Sequence, residues 1–465
     1  MAEQLIQKRI PVVPRSVSGR FRALKYAILL LAYSVYYLLP WLRWERSSGP
    51  NQAVLFDIVG RKFYLFDLVV YAQDIFWLAG FLIIAAFLLF FVTSIAGRVF
   101  CGYFCFQTLW TDVFVLIERL VQGERTARIK LINGPMNGEK FIKLTMTKLL
   151  WLLVALLTGL SFTLYWGNAP ELLQQLVAGT GPFPAYATTL FLTATTFVMA
   201  GLAREQVCTY MCPYSRFQAV MFDQDTLLVA YDEKRGEAEN GRWKPVKGLL
   251  KREERQAKGY GDCIDCGFCV QVCPTGIDIR NGIQYQCISC ALCIDACNTI
   301  MDSINYPRDL IRYSSENELH GKQRRWYKPK NIGYALMLLL ISGILVWSVA
   351  TRVASELRVN QIRQPLYVVL SDGHIQNRYE IKITNKTDQP QKYHLALEGL
   401  SSAELDSGYF SETSLGPGES QQLQVRVKMP PDSNSEKIRP FYFVLQSRDT
   451  PSKVVVKSKA RFNLP

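Results

Sequence analysis

The sequence predicts a multi-domain membrane protein that combines an α-helical transmembrane bundle of five spans, a small cysteine-rich domain and a C-terminal antiparallel β-sandwich. The bundle is indicated by five long apolar runs in a chain of 465 residues that is 49% hydrophobic. The cysteine-rich domain is indicated by eight of the 12 cysteines, which fall in one duplicated segment. The sandwich is indicated by alternating apolar and polar residues after residue 355.

Each apolar run is close to the roughly 20 residues that a helix needs to cross hydrocarbon. The predicted spans are Leu24–Leu42, Ile75–Ala96, Leu149–Trp166, Tyr186–Leu202 and Ile332–Thr351. Lysine and arginine are concentrated before the first span and in the loops after the second and fourth, whereas residues 167–185 contain neither. The positive-inside rule therefore predicts a multi-pass protein of a bacterial inner membrane, with its N-terminus and these loops in the cytoplasm and its C-terminal region in the periplasm.

The net charge of +14 is explained by these loops. No nucleic-acid-binding motif accompanies it, so the expected partner is the lipid bilayer and not nucleic acid. The only three histidines, His320, His374 and His394, lie outside the apolar runs, which excludes a membrane haem bundle with paired histidine ligands. The chain also lacks a G-x-G-x-x-G fingerprint, so the electron donor is expected to be another protein instead of a bound flavin or NAD.

The strongest signal is a repeated C-x2-C-x2-C-x3-C motif, typical of bacterial ferredoxins with two [4Fe–4S] clusters. In this arrangement the first three thiolates bind one cluster and the fourth binds the other. We therefore predict cluster 1 on Cys263, Cys266, Cys269 and Cys297, and cluster 2 on Cys287, Cys290, Cys293 and Cys273. Zinc is the competing interpretation, but a zinc site does not need this triple spacing twice. Two adjacent clusters indicate one-electron transfer.

The other four cysteines form two C-x3-C pairs, each just beyond the end of a predicted span. The pairs are Cys101 with Cys105 and Cys208 with Cys212. On a helix, residues four apart share one face, so each pair could bind a soft metal ion, or all four could form one site. Thiolates at low coordination favour Cu(I), with zinc or an Fe–S cluster as other options. Buried apolar packing and a dithiol/disulfide couple also remain open.

The predicted organisation has five regions in chain order. They are a cytoplasmic basic tail (1–23), a four-helix transmembrane region with both C-x3-C motifs (24–212), a cytoplasmic region (213–331) that contains the ferredoxin domain at about 255–305, a fifth transmembrane helix (332–351) and a periplasmic β-domain (355–465). Strands in the last region are predicted at Tyr379–Thr384, Tyr393–Leu397, Gln422–Val427 and Phe441–Gln446. These strands carry no chemistry, so we expect a structural or adaptor role.

The motif stretches GRVFCGYFCFQTLWTDVF, EQVCTYMCPYSRFQAVMFDQ and GDCIDCGFCVQVCPTGIDIR resemble the CcoG/FixG/RdxA family of cbb3-type cytochrome c oxidase accessory proteins, and the resemblance covers nearly the whole chain. It implies an immunoglobulin-like C-terminal domain and a cupric reductase that supplies Cu(I) for assembly of the oxidase. Carried over by position, it implies copper handling by Cys101, Cys105, Cys208 and Cys212, an electron relay through the other eight cysteines, and a copper chaperone or transporter and oxidase assembly factors as partners. One departure is Phe106, where the family has proline; Pro213 keeps the pattern.

Three functions therefore compete. The first is an oxidoreductase that reduces Cu(II) to Cu(I). The second is a membrane relay that passes electrons between a quinone pool and a soluble partner without copper. The third is an assembly scaffold whose clusters are structural. The paired thiols favour the first function, because a relay without copper has no use for them.

Overall fold

A computed structural model describes residues 12–46, 49–71, 74–244, 251–353, 355–387, 389–400, 402–408, 412–430, 437–447 and 454–465. Residues 1–11 of the predicted basic tail lie outside these ranges. The chain forms two compact units. The first contains Met1–Trp44 and Gln52–Leu345, and the second contains Glu45–Asn51 and Val346–Pro465.

The first unit is mostly helical. Its helices are α1 (Arg20–Leu38), α2 (Ile75–Ala96), α3 (Val99–Tyr103), α4 (Phe106–Gln122), α5 (Arg125–Asn133), α6 (Gly138–Leu164), α7 (Ala169–Ala178), α8 (Phe183–Thr196), α9 (Arg204–Gln206), α10 (Pro213–Met221), α11 (Glu233–Glu237), α12 (Arg252–Gln256), α13 (Phe268–Gln271), α14 (Leu292–Ser303), α15 (Glu316–Leu319) and α16 (Pro329–Ala350). Two π-helical segments, Phe197–Ala203 and Val207–Met211, flank α9, and short 3₁₀ turns lie at Leu39–Trp41 and Ile279–Asn281.

Six helical stretches of the described residues are long and apolar enough to cross a membrane. They are Arg20–Trp41, Ile75–Ala96, Val99–Gln122, Gly138–Leu164, Phe183–Met211 and Pro329–Ala350. Five of them overlap the predicted spans. The stretch Gly138–Leu164 begins well before its predicted span, and the stretch Phe183–Met211 ends well after its own, because polar residues continue the helix there. The protein is therefore a helical membrane protein, as predicted.

The stretch Val99–Gln122 was not predicted as a span, because Asp112, Glu118 and Arg119 interrupt its apolar pattern. Its first turn contacts the ferredoxin segment, where the Tyr103 hydroxyl donates to the carbonyl of Cys290 at 3.2 Å. Near its far end Glu118 pairs with Arg128, and Arg125 donates to the carbonyl of Val13. The described residues therefore contain one more apolar helical stretch than the five spans predicted.

The ends of the other spans sort into two groups. One group lies with the ferredoxin segment and contains the start of α1, the end of α2 and the start of α16. The Ser94 hydroxyl in α2 donates to the Asn331 side chain in α16, and the Ser94 carbonyl accepts from the Thr226 hydroxyl at 3.2 Å. The end of α6 meets a small sheet, where the backbone N–H of Phe56 donates to the carbonyl of Tyr165 at 2.8 Å. The described part of the tail contacts both the second and the fourth loop, since Arg125 donates to the carbonyl of Val13 and the Arg15 N–H donates to the carbonyl of Gln271 at 2.8 Å.

That small sheet is an antiparallel meander of β1 (Val54–Asp57), β2 (Lys62–Leu65) and β3 (Leu68–Tyr71). On the ferredoxin side, β4 (Leu228–Tyr231) and β5 (Ile311–Ser314) form an antiparallel ribbon that packs on α14. The ribbon brings the chain before and after the cysteine repeats together, so it closes the ferredoxin segment into a domain.

The second unit is a β-sandwich. One sheet contains β6 (Ser355–Gln361), β7 (Val368–Val369), β8 (Ile375–Asn385), β10 (Glu404–Asp406) and β12 (Ser420–Met429). The other contains β9 (Gln391–Glu398), β11 (Glu412–Leu415), β13 (Ile438–Ser447) and β14 (Val454–Asn463). All pairings are antiparallel, and alternate residues such as Tyr379, Val425 and Phe443 form the core between the sheets. All four predicted strands are confirmed.

Candidate metal centre

The ferredoxin segment contains two cavities, each surrounded by four thiols. The first, here called quartet 1, is formed by Cys263, Cys266, Cys269 and Cys297. The second, quartet 2, is formed by Cys273, Cys287, Cys290 and Cys293, with Cys269 lying between the two cavities. The fourth cysteine of each motif thus joins the other motif's first three. The grouping is the one that the spacing predicts.

Both cavities are built by the same unusual backbone. Asp265 and Gly267 have positive φ angles of 49° and 64°, two and four residues after Cys263. Ser289 and Ala291 have φ angles of 53° and 59° at the equivalent positions after Cys287. Left-handed residues alternating with ordinary ones turn successive backbone N–H groups toward one concavity, which suits an anionic group. The duplicated sequence therefore folds into a duplicated cradle.

The thiols of both quartets are in apolar surroundings. Burial raises the pKa of Cys269, Cys287 and Cys297 to about 12, because desolvation disfavours the thiolate. Within the described residues, no three cysteine, histidine or carboxylate side chains converge as ligands of a single ion. Four sulfurs spread around a cavity suit a cubane, which holds its thiolates farther apart than one tetrahedral ion does. The donor set fits an iron–sulfur cluster, and its binding must displace the thiol protons.

The two C-x3-C pairs share a helix break at the second cysteine, which is not the structure predicted. Cys101 lies in α3 and Cys105 caps α4 with an extended backbone (φ −65°, ψ 127°). Cys208 lies in a π-helical segment and Cys212 caps α10 in the same way (φ −78°, ψ 112°). The predicted shared helix face is therefore wrong, because a new helix starts after the second cysteine of each pair.

Phe106 and Pro213 occupy the first position of α4 and α10, respectively. Proline favours this position, since its missing N–H has no helical partner there. Phenylalanine gives the same backbone turn at Cys105, so the departure from the family's proline does not change the geometry of the first pair.

The four thiols of the pairs lie near one another. Gln107, two residues after Cys105, donates to the carbonyl of Arg204, four residues before Cys208, at 3.2 Å. The Cys101 thiol donates to the side-chain amide oxygen of Gln218 at 3.3 Å, which links the first pair to α10 and so to the second pair. Cys208 also lines a cleft that opens between the membrane helices and the ferredoxin segment. The fold thus brings two sequence-distant motifs together.

The first pair is in direct contact with the loop of quartet 2. A Cβ atom added to Gly102 would lie 2.7 Å from the carbonyl oxygen of Ile288 and 2.9 Å from the Cα of Cys290. Since such distances are shorter than van der Waals contact, only glycine allows this approach. Cys101 itself packs beside Ile288 and Cys290. Backbone contact therefore joins the membrane-edge thiols to the ferredoxin segment.

Arg98 ties three parts of the site together. Its guanidinium donates to Gln218 of α10 at 2.9 Å, to the carbonyl of Cys287 at 3.4 Å and to the carbonyl of Tyr285. Arg98 and Gln218 are 3% and 0% exposed, so water does not compete for these bonds. Neither residue was predicted as a site residue. The position of Arg98, one turn before the cysteine pair, is the only local signal for its role.

Two family models match the chain. A 4Fe-4S dicluster domain matches residues 203–316, and the Ig-like fold at the C-terminal of FixG matches residues 345–465. Protein RdxA of Cereibacter sphaeroides is 42% identical over 86% of this chain and 84% of its own length, and Protein RdxB of the same organism is 43% identical over 84% and 83%. Nitrogen fixation protein FixG of Rhizobium meliloti is 36% identical over 99% of this chain and 94% of its own length.

The chain belongs to the RdxA/FixG family. The resemblance stated from the motifs is confirmed, as are the ferredoxin and immunoglobulin-like folds. With its spans and its dicluster domain, this RdxA/FixG protein is a membrane-bound iron–sulfur electron-transfer protein.

Proposed function

We propose that the protein reduces Cu(II) to Cu(I) at its four membrane-edge thiols and supplies the Cu(I) for assembly of a cbb3-type cytochrome c oxidase. The observation that carries this proposal is the contact of the Cys101–Gly102 backbone with the loop of quartet 2. An electron transfer protein has no need for four soft ligands at this contact unless a soft acceptor binds there. Copper is the substrate and not a resident ion.

We assign one cluster to quartet 1 and a second to quartet 2, because each cavity offers four thiols on a matching backbone. When bound, the two [4Fe–4S] clusters supply one-electron transfer, which is the change that Cu(II) requires. The thiols that line the cavities hold the clusters. Because Gly102 has no side chain, the backbone beside Cys101 contacts the loop of quartet 2 directly, which keeps the distance between quartet 2 and the copper site short.

The four membrane-edge thiols have two tasks in this scheme. As thiolates they bind Cu(I) more tightly than Cu(II), so they stabilise the product of the electron transfer. As side chains on two separate helix breaks, they can rotate around the ion without unwinding a helix. Arg98 and Gln218 hold the two breaks at a fixed separation from quartet 2. These two residues position the thiols and do not touch the copper.

We further propose that the side shared by the tail, the copper thiols and the ferredoxin segment is the cytoplasm, because the lysine- and arginine-rich loops lie there. The Ig-like domain would then be periplasmic. A protein electron donor would approach quartet 1, where Cys266 is exposed. A copper chaperone or transporter would deliver or receive the ion at the cleft beside Cys208.

The test is anaerobic reduction of Cu(II) by the purified, chemically reduced full-length protein, followed with a Cu(I)-specific chromophore. Two clusters provide one electron each, so we expect about two Cu(I) per chain. The variant Cys208→Ser with Cys212→Ser should form Cu(I) at least about tenfold more slowly while its cluster absorbance stays unchanged, because the acceptor is no longer held.

Met211→Leu is the matched control, since Met211 is an exposed soft sulfur between the two cysteines. It should reduce copper at the rate of the unmodified protein. Equal rates in all three proteins would mean that the clusters release electrons to copper in solution without the thiols. That result would overturn the proposal and favour an electron relay or an assembly scaffold.

A further inference from the structure

A buried ion cluster joins the first membrane helix to the helix that follows the first C-x3-C pair. The Arg22 guanidinium donates to both carboxylate oxygens of Asp112 at 3.0 Å. The Lys25 ammonium lies 3.6 Å from the same carboxylate. Lys25 and Arg22 are 1% and 6% exposed. Two cations and one carboxylate leave a net charge of +1 that water screens only weakly.

This ion cluster lies beside quartet 2. The helix α1 begins directly on α14, where the carboxylate of Asp295 accepts from the backbone N–H of Phe21 at 3.3 Å and of Arg22 at 2.8 Å. Asp295 is two residues from Cys293, and the Phe21 ring packs against a hydrophobic cluster that contains cysteines of both quartets. The first turn of the membrane helix is therefore fixed to the helix that carries Cys293 of quartet 2.

The charges lie close to the ligands. Arg22, Lys25 and Asp112 line one cleft together with Ile288 and Leu292. These two apolar side chains pack in one cluster with Cys290, a ligand of quartet 2. Quartet 1 has different cations beside it. Arg280 lines its cavity, and the buried Arg255 donates to the carbonyl of Cys263 at 3.2 Å; both belong to the ferredoxin segment itself.

We infer that Lys25 and Asp112 set the redox equilibrium of the cluster held by quartet 2, Lys25 favouring the reduced state and Asp112 the oxidised state. Reduction adds one electron to that cluster, so a nearby fixed cation stabilises the product and a nearby anion destabilises it. No proton is taken up in the step. The inference rests on the proposed assignment of a cluster to quartet 2 and does not depend on copper as the substrate.

The alternative is that the ion cluster only fastens α1 to α4. In that case Lys25→Met and Asp112→Asn would act in the same direction, since each breaks the same interaction and loosens the same contact. The electrostatic role demands opposite directions, because one substitution removes a positive charge and the other a negative charge. The sign of the effect therefore separates the two roles.

The experiment is an anaerobic redox titration of the full-length protein in detergent micelles, monitored by EPR, with iron quantified beforehand. A unit charge about 10 Å away at an effective dielectric constant of about 20 changes the equilibrium about tenfold. At a fixed solution potential, Lys25→Met should lower the reduced-to-oxidised ratio of the quartet 2 cluster about tenfold, and Asp112→Asn should raise it about tenfold. Tenfold corresponds to about 59 mV for one electron.

Three further variants secure the assignment. Arg280→Gln removes a cation beside quartet 1 and should shift only the redox wave of the quartet 1 cluster. This shift identifies which of the two waves belongs to quartet 1. Lys25→Arg keeps the charge and should leave both waves in place even if Lys25→Met folds poorly. Lys143→Met removes an exposed lysine that pairs with Glu139 on α6 and should shift neither wave.

Shifts in one direction for Lys25→Met and Asp112→Asn, or no shift in either, would overturn the inference. Fewer than eight iron atoms per chain would overturn the assignment of two clusters, and this inference with it. Opposite shifts in a protein that does not reduce copper would support the inference and refute the proposed function.

Discussion

Quartets 1 and 2 have the same motif and the same left-handed backbone positions, but their surroundings differ. Quartet 1 is enclosed by the β4–β5 ribbon and the ferredoxin segment's own side chains, and its Cys266 is exposed. The loop of quartet 2 also packs against α3, and α14, which carries Cys293, receives the start of α1; neither α1 nor α3 is part of the ferredoxin repeat. A sequence duplication therefore supplies two equivalent cavities, and the membrane helices make them unequal. The difference places quartet 2 beside the membrane-edge thiols and quartet 1 beside the exposed Cys266.

The most direct way to break this comparison is to push the membrane helices away from quartet 2. In Gly102→Ala the new methyl group would overlap the backbone of Ile288 and Cys290, which cannot move aside as a flexible side chain can. We expect a loss of about 1–3 kcal/mol in the free energy of unfolding and a fall of at least about tenfold in Cu(I) formation. Urea unfolding and the chromophore assay measure the two effects.

The matched control is Gly138→Ala at the start of α6, where an added Cβ has no neighbour within 4 Å. It should leave both quantities unchanged. A Gly102→Ala protein with normal copper reduction would show that the close approach is not needed for electron transfer.

The pH dependence of protein stability tests the ion pairs of Asp262, which lie beside quartet 1. Asp262, next to Cys263, receives hydrogen bonds from Arg235 at 2.7 Å and Arg252 at 2.9 Å. Burial alone would raise the pKa of Asp262, but the two arginines outweigh burial and lower it. The ionised carboxylate therefore stabilises the fold above the pKa of about 3.9 in the unfolded chain, and this contribution is lost as the pH falls through the lower folded value.

Asp262→Asn should thus destabilise the protein by about 1–3 kcal/mol near pH 7, with a difference from the unmodified protein that shrinks below about pH 4. Thermal unfolding between pH 8 and pH 3 measures this difference. Asp302→Asn, at an exposed pair with Arg308, should show no measurable change. A difference that grows toward low pH would contradict the assigned direction of the pKa.

The smallest expected effect concerns the equivalence of the two loops. Gly267→Ala would place a methyl group at φ 64° in open space, so its cost is backbone strain alone, about 1 kcal/mol. Ala291→Gly would relieve the same backbone strain at φ 59° and so stabilise the fold. The gain in unfolding free energy is reduced by the larger conformational entropy of glycine in the unfolded chain. The two changes should have opposite signs in urea unfolding. Equal signs would show that the loops are equivalent in shape but not in strain.

Much of the fold could be predicted because its signals are local. Period-two alternation identified β8, β9, β12 and β13, and spacing alone grouped the eight cysteines into the two quartets that surround the cavities. The limits of the spans were less accurate, since polar residues can continue a helix beyond the hydrocarbon, as they do in α6.

The prediction for the C-x3-C pairs failed because a helix was assumed to run through both cysteines. Pro213 was a usable signal for a new helix after Cys212. In the first pair Phe106 begins the new helix, and phenylalanine gives no sequence signal for a helix start. The contacts of Gly102, Arg98 and Lys25 could not be predicted, because their partners lie more than 80 residues away in sequence and no spacing rule connects them.

The cap on α1 has a consequence for the order in which the molecule is made. The first turn of the first span is completed by a carboxylate 273 residues further along the chain. At roughly 5–20 residues per second, that carboxylate leaves the ribosome on the order of tens of seconds after the span itself. Until the ferredoxin segment folds, the backbone N–H groups of Phe21 and Arg22 lack this acceptor, so folding of that segment also completes the first turn of α1.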